Sequence, residues 1–252
     1  MRDGVVLRKK CFAGVKDCRQ HGVSRMRKIL RDVTLVCASG IKIPESLSVV
    51  EQICQHFVFG GVNCLLGGES EGSPKMTSKE EYSRVICQYI PKFIGTSHLL
   101  ICQWDSGLID PTLWNDEWLK YDYIGAPWPP HLAKMIGRPQ EEHRPWVGNG
   151  GFSLRSQRLM DWVSRKNYPT LQPGEHPDMV NEDVVICRCW RQEAEAAGFV
   201  FAPPSVAAKF AVEYTIPLIT PARVFGFHGH WWQKKLIGRD DGNQRGGESP
   251  VK

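Results

Sequence analysis

The sequence reads Trp146-Val147-Gly148-Asn149-Gly150-Gly151-Phe152-Ser153-Leu154-Arg155 at the point around which the chain is organised. Three glycines and an asparagine precede a short alternation of apolar and polar residues, and a helix is expected to start at Ser156. Because glycine has no Cβ, Gly150 and Gly151 can let a ligand lie against the backbone. The glycines alone are more typical of a plain turn between a strand and a helix.

A pair of adjacent carboxylates follows further along, in Asn181-Glu182-Asp183-Val184-Val185, where an amphipathic run begins. Acidic residues are favoured at a helix start by the helix dipole, so the pair has a structural explanation. A carboxylate placed beside a backbone-lined turn is also suited to act as a general base. Taken together, the glycine segment and the acidic pair favour a site.

The composition describes a globular chain. It has 252 residues with 42% hydrophobic content, enough for one large or two small domains with a core. No apolar run approaches the roughly 18 residues of a membrane span, and the basic N-terminus lacks the apolar region of a secretory signal. The nine cysteines form no C-x-x-C pair, which indicates reduced, mostly buried thiols of a cytoplasmic protein.

The net charge of +5 is distributed unevenly. Residues 1–31 carry ten Lys or Arg and two Asp, whereas the rest of the chain carries 22 basic and 25 acidic residues. A basic leader on a mildly acidic body does not favour specific nucleic-acid binding, which needs basic residues on the folded face. We predict that residues 1–30 and 238–252 are disordered, and Met26 is a candidate for the native start.

Strand and helix patterns alternate in the first half of the chain. Apolar runs of strand type lie at Val33–Cys37, Val62–Leu66 and His98–Cys102. Pro44 can open a helix whose apolar face extends to Phe57, and Ser78–Glu81 is a capping box that starts another. This order predicts an α/β fold with a mixed, mostly parallel sheet and a Rossmann-like nucleotide-binding half.

The third apolar run continues into Gln103-Trp104-Asp105-Ser106. Ligands of open α/β sheets lie beyond the carboxyl ends of strands, and a carboxylate there can hold a cation that bridges two phosphates. Asp105 is equally suited to a turn ahead of Gly107. Further on, Trp128 and Trp146 flank a Pro-rich loop, residues 129–145, that is a candidate lid, and their rings are candidates for contact with a sugar.

These motifs carry a resemblance to a known group of proteins. Asp122–Trp128, Val147–Ser156, Asn181–Val184, Gly198–Pro203 and Phe225–Gly229 resemble an uncharacterised domain family described as glycosyltransferase-like. Their order is similar to that of GT-A glycosyltransferases of the β-1,4-galactosyltransferase and fringe-like kinds. The resemblance implies a single GT-A-like domain over residues 31–237. Residues 31–128 form its nucleotide-sugar half and residues 129–237 its acceptor and catalytic half.

The resemblance also implies donor-binding residues. Asp105 matches the second acid of the family's Asp-x-Asp motif, which ligates a metal on the donor diphosphate, and His228 matches a late metal-ligand histidine. Gln103 stands where the first acid would be, and an amide adds no charge to a metal site. Mn²⁺ or Mg²⁺ is therefore an open expectation. Gln103, Asp105 and Ser106 are the expected donor-binding residues, with a UDP-sugar as the expected donor.

The acceptor side and the base follow from the same resemblance. Asp183 matches the general base and Glu182 a carboxylate that binds the acceptor. The residues expected to contact that acceptor, a glycan or a lipid- or protein-linked group, are Trp128, Trp146, Asn149, Gly150 and Gly151. One base opposite the donor implies inversion at the anomeric carbon.

Two alternatives stay open at this level. One is a non-catalytic sugar- or nucleotide-binding module, which would need no base at Asp183. The other is a metal-dependent hydrolase with Asp105, His228 and His230 as ligands, although no His-x-x-x-His spacing supports it.

Overall fold

A computed structural model describes residues 26–67, 74, 76–132, 146–217 and 220–237. Its strands are β1 (Lys28–Ser39), β2 (Phe57–Leu66), β3 (His98–Cys102), β4 (Ser106–Leu108), β5 (Tyr123–Ile124), β6 (Pro127–Trp128), β7 (Trp146–Val147), β8 (Phe152–Ser156), β9 (Ala211–Val212) and β10 (Gly226–His228). Its α-helices are α1 (Ile43–His56), α2 (Lys79–Arg84), α3 (Gln157–Ser164), α4 (Glu182–Val184), α5 (Arg191–Ala196), α6 (Pro204–Phe210) and α7 (His230–Ile237).

The main sheet has the strand order β2-β1-β3-β8-β5. Strands β2 and β3 both run parallel to β1, as expected for strands joined by helical crossovers. Strand β8 runs antiparallel to both β3 and β5. The mixed α/β fold is thus confirmed, and in the described main sheet four of the five strands run in one direction, with β8 reversed between β3 and β5.

The apolar runs explain the central strands. Leu35 and Val36 in β1 and Leu100 in β3 are completely buried, because α-helices cover the faces of a sheet built by crossovers. Helix α2 begins at the predicted capping box, where the Ser78 hydroxyl accepts a hydrogen bond of 3.1 Å from the Glu81 backbone N–H. Helix α1 ends at His56, so Phe57 belongs to β2 and not to the helical face on which it was predicted.

The glycine segment joins β7 to β8, and the predicted helix start follows it. Asn149 takes a left-handed conformation with φ 67°, and its Oδ1 accepts hydrogen bonds from the backbone of Gly151 and Phe152. The Ser156 hydroxyl then caps α3. Because β8 pairs antiparallel with β3, the Phe152 end of β8 lies opposite Cys102. Gln103 and Gly151 therefore meet at one edge of the sheet.

Several expectations fall partly outside the described residues. Residues 1–25 and 238–252, and most of the candidate lid, 133–145, are not described, whereas Lys28–Leu30 of the predicted leader lie in β1. No helix in the described part of the chain is long and apolar enough to span a membrane. Cys37, Cys87, Cys102 and Cys187 are buried free thiols.

Candidate functional site

A cavity of about 410 Å³ opens at the edge of the sheet where β3 ends beside the start of β8. This volume falls within the range of roughly 300–1,000 Å³ that is typical of small-molecule sites. Its walls include eight residues that the sequence singled out, namely Gln103, Asp105, Trp128, Gly150, Gly151, Glu182, Asp183 and His228. Its walls also include Lys79, Tyr82, Ser83, Leu132, Asp178, Asn181, Val184, Glu213 and Tyr214.

Asp183 stands on the wall of this cavity, and backbone groups fix its orientation. Its Oδ2 accepts a hydrogen bond of 2.8 Å from the Gly150 N–H, and its Oδ1 accepts one of 2.8 Å from the Val184 N–H. Burial, together with the negative charges of Glu182 and Glu213, raises the pKa of Asp183 to about 7, although the Gly150 N–H opposes the shift. A carboxylate with this pKa can exchange a proton near neutral pH.

Glu182 is the buried partner of Arg155 and has little freedom to move. The Glu182 Oε1 accepts a hydrogen bond of 2.9 Å from the Arg155 guanidinium, whose side chain is completely buried. The Ser83 hydroxyl donates to the other Glu182 oxygen at 3.4 Å and accepts a hydrogen bond from the Glu182 backbone N–H at 3.1 Å. This ion pair attaches α4 to β8, so Glu182 serves to position the acidic segment.

The two central glycines allow side chains to approach the backbone closely. A Cβ atom on Gly150 would lie 1.9 Å from Glu182 Oε1, and one on Gly151 would lie 2.1 Å from His228 Nε2. Any larger residue at either position would therefore displace a wall of the cavity. The glycine segment is thus more than a turn, because it brings α4 and β10 against the same stretch of backbone.

His228, on β10, is surrounded by side-chain oxygens. Its Nε2 lies 3.1 Å from Gln103 Oε1 and 3.4 Å from Asp105 Oδ1, and its Nδ1 lies 3.3 Å from Glu213 Oε1. Burial lowers the pKa of His228, but the carboxylates of Asp105 and Glu213 more than reverse this effect and raise it to about 10. Both ring nitrogens therefore act as donors, and the ring is an imidazolium at neutral pH.

The predicted metal ligands, Asp105 and His228, fit a divalent cation poorly. Asp105 Oδ1 is buried and accepts no hydrogen bond from the described residues, which suits a cation. His228 fits only as a neutral imidazole, because a metal ligand needs a nitrogen lone pair, and the carboxylates of Asp105 and Glu213 favour its protonated form. Among the described residues, no three His, Cys, Asp or Glu side chains are grouped to hold a metal. Metal dependence of the proposed activity stays a prediction.

Three predicted contact residues lie behind the wall of the cavity. Ser106 is buried, and its hydroxyl exchanges hydrogen bonds with the Gln103 backbone at 3.0 and 2.9 Å, which shapes the turn before Asp105. Asn149 is buried and its side chain holds the glycine turn. Its backbone carbonyl accepts a hydrogen bond of 3.0 Å from the Tyr123 hydroxyl. Trp146 packs edge-on against Trp128, which itself lines the cavity.

Glu213 is a residue of the site that no sequence pattern indicated, and it joins two walls of the cavity. Its Oε2 accepts a hydrogen bond of 2.6 Å from the Trp128 indole, and its Oε1 faces His228. Glu213 follows the two-residue strand β9, and no local pattern distinguishes it from a surface glutamate. Arg155 had no local signal either, because it occupies a polar position in the alternation of β8, which predicts exposure, whereas the structure buries it beside Glu182.

Comparisons with known proteins place the chain in a family. A family model described as "Protein of unknown function (DUF5672)" matches residues 71–228, more than half of the chain. No curated protein matches this chain. Among solved structures, the chain is similar to a "glycosyltransferase involved in the glycosylation of the major capsid of PBCV-1", with 13% identity, a TM-score of 0.44, and coverage of 82% of this chain and 98% of that one. A second structure, "A197 from STIV", has 10% identity, a TM-score of 0.29 and coverage of 62% and 76%. Likenesses at these TM-scores carry no argument about function.

Proposed function

We propose that this chain, a member of the DUF5672 family of unknown function, is an inverting glycosyltransferase that moves a sugar from a nucleotide-sugar donor to an acceptor hydroxyl. The observation that carries the proposal is the Asp183 carboxylate, which is fixed by two backbone N–H groups on the wall of a cavity. Its pKa of about 7 suits a group that must take a proton from a hydroxyl near neutral pH.

In the proposed reaction, the acceptor hydroxyl attacks the anomeric carbon of the donor while Asp183 takes its proton. The bond between the anomeric carbon and the phosphate oxygen breaks, and negative charge collects on the leaving diphosphate. A single base opposite the leaving group gives inversion at the anomeric carbon. A positioned base of this kind contributes about 10²–10⁴-fold in rate.

The donor side of the proposed site is formed by Gln103, Asp105 and His228. The imidazolium of His228 lies on this wall and offers a positive charge to a leaving diphosphate, and fixed charges of this kind stabilise a developing anion. Gln103 has an amide that can bind a ribose or a base. A UDP-sugar as donor and a glycan or a lipid- or protein-linked acceptor remain parts of the proposal.

The rival functions receive less support. The hydrolase needs His230 beside Asp105 and His228, but His230 is exposed and its ring packs against Trp104 at 5.5 Å. It does not line the cavity. A non-catalytic binding module needs no carboxylate of raised pKa at the glycine segment, so Asp183 is the residue that separates this function from transfer.

The decisive experiment measures nucleotide release from a panel of sugar nucleotides, with and without sugar acceptors, and with Mn²⁺ or a chelator. We expect release that increases on adding an acceptor and that is lost in Asp183→Asn. Binding of a sugar nucleotide without release would favour the non-catalytic module. Nucleotide release that neither increases on adding an acceptor nor falls in Asp183→Asn would favour hydrolysis.

A further inference from the structure

The cavity that contains Asp183 has more carboxylates than cations among its described lining residues. Asp105, Asp178, Glu182, Asp183 and Glu213 line it, against Lys79 and His228. Arg155 lies behind the wall and pairs with Glu182 at 2.9 Å. The wall near the proposed base is therefore acidic.

The two cations that line the cavity are already engaged by carboxylates. Lys79 Nζ lies 2.9 Å from Asp178 Oδ1, and His228 lies between Asp105 and Glu213. Because His228 belongs to the proposed donor side, a negatively charged acceptor would have to displace Asp178 from Lys79 to gain an ionic partner, while it also faced Asp183. Like charges at short range in a partly buried site oppose binding.

Two neutral polar atoms on the same wall have no hydrogen-bond partner among the described residues. The Asn181 Nδ2 donates to Asp178 at 3.1 Å, which leaves Asn181 Oδ1 buried without a hydrogen bond among the described residues. The Tyr82 hydroxyl is likewise buried, and although Gln103 lies near it, the two groups do not meet with hydrogen-bond geometry. Buried polar atoms are normally satisfied, so these two are suited to a ligand that carries hydroxyl groups.

Apolar rings complete the wall. Trp128 and Tyr214 both line the cavity and pack in one cluster with Val184, next to Asp183. Aromatic faces suit the apolar face of a sugar ring. A ligand that matches this wall has hydroxyl groups, one apolar face and no negative charge.

From these observations we propose that the acceptor is an uncharged sugar, and that the acceptor side of the cavity, around Asp183, Asp178 and Asn181, discriminates against acceptors that carry a carboxylate or a phosphate. This inference rests on the proposed function, because it takes the cavity beside Asp183 as the acceptor site. Asn181 and Tyr82 are then specificity-determining residues that bind acceptor hydroxyls, and Asp178 repels anions.

The test uses matched pairs of methyl glycosides with gluco, galacto and manno configurations. Each pair differs only at C6, which is a hydroxymethyl group in the neutral sugar and a carboxylate in the uronide. Binding is measured by calorimetry at pH 8 on the full chain. We expect at least one neutral glycoside to bind, and its uronide to bind at least about ten-fold more weakly.

Two variants connect the preference to the named residues, with thermal unfolding as a check of the fold. Tyr82→Phe removes one hydroxyl and should weaken binding of the neutral glycoside about five-fold, as for the loss of one hydrogen bond. Asp178→Asn removes a negative charge and releases Lys79 from its ion pair, so uronide binding should strengthen relative to binding of the neutral sugar. Uronides that bind as tightly as their neutral partners, or a panel in which no neutral glycoside binds, would overturn the inference.

The same proteins in the nucleotide-release assay separate this inference from the proposed function. Neutral glycosides that bind without supporting any transfer would contradict glycosyl transfer and leave standing only a preference of the cavity for neutral sugars as ligands. Transfer that runs faster to uronides than to neutral glycosides would contradict the acceptor preference alone.

Discussion

The backbone N–H of Gly150 donates a hydrogen bond of 2.8 Å to Oδ2 of Asp183, 33 residues further along the chain. This contact joins the two motifs that the sequence analysis selected independently. It also fixes the carboxylate on the cavity wall, since a backbone donor has fewer conformations than a side chain.

The first prediction separates the two members of the acidic pair. Asp183→Asn keeps the size of the side chain but removes the proton acceptor, so turnover should fall about 10²–10⁴-fold. Its stability should change by no more than about 1 kcal/mol, because the amide avoids the cost of a buried charge but loses one backbone hydrogen bond. Steady-state kinetics and thermal unfolding measure both effects.

Glu182→Gln is the matched control for this prediction. It leaves Arg155 without a charged partner in a buried position, so it should lower stability by about 3–5 kcal/mol. At a temperature where the variant is folded, the chemical step should be less affected than in Asp183→Asn. The assignment of the base is wrong if Asp183→Asn retains normal turnover and folded Glu182→Gln loses it.

The second prediction concerns the pH dependence of turnover. The base must be ionised, and burial with the charges of Glu182 and Glu213 raises the pKa of Asp183 to about 7. The rate should therefore rise with pH up to about 7 and then level off. Glu213→Gln removes one of the charges that raise the pKa, so the rising limb should shift to lower pH. If the rising part of the pH–rate profile is unchanged in Glu213→Gln, the charge of Glu213 does not raise the pKa of Asp183.

The third prediction concerns the pH dependence of folding. The pKa of His228 is raised from 6.5 to about 10 in the folded chain. Its contribution to stability is therefore fully present below pH 6.5 and is lost as the pH rises toward 10. Urea unfolding across this window should show a decrease in the free energy of unfolding. The decrease should be smaller in His228→Gln, and an equal decrease would show that another group is responsible.

The fourth prediction tests the close packing at the glycine segment. In Gly150→Ala the new Cβ would lie 1.9 Å from Glu182 Oε1, so the acidic segment must move. We expect a loss of about 1–3 kcal/mol, as for overpacked cores, together with a loss of activity. Gly95→Ala is the control, because a Cβ there meets no atom within 4 Å. Equal thermal midpoints for the two variants would contradict the packing argument.

The sequence by itself determined the elements that form the frame of the site. Continuous apolar runs located β1 and β3, and Ser78 and Ser156 marked helix starts, because capping and apolar periodicity act over a few residues. Local patterns did not identify which strand of the main sheet runs against the others. Strand β8 enters the sheet antiparallel beside β3, and a pairing of this kind depends on how the whole chain returns to the sheet.

Only the tertiary structure decided the electrostatics of the site. The burial of the Arg155–Glu182 pair, the place of Glu213 between Trp128 and His228, and the pKa of Asp183 depend on groups far apart in sequence. Residue type says that a carboxylate can carry a charge. Burial and the charges within a few ångströms decide whether it does so at neutral pH, and these exist only once the chain has folded.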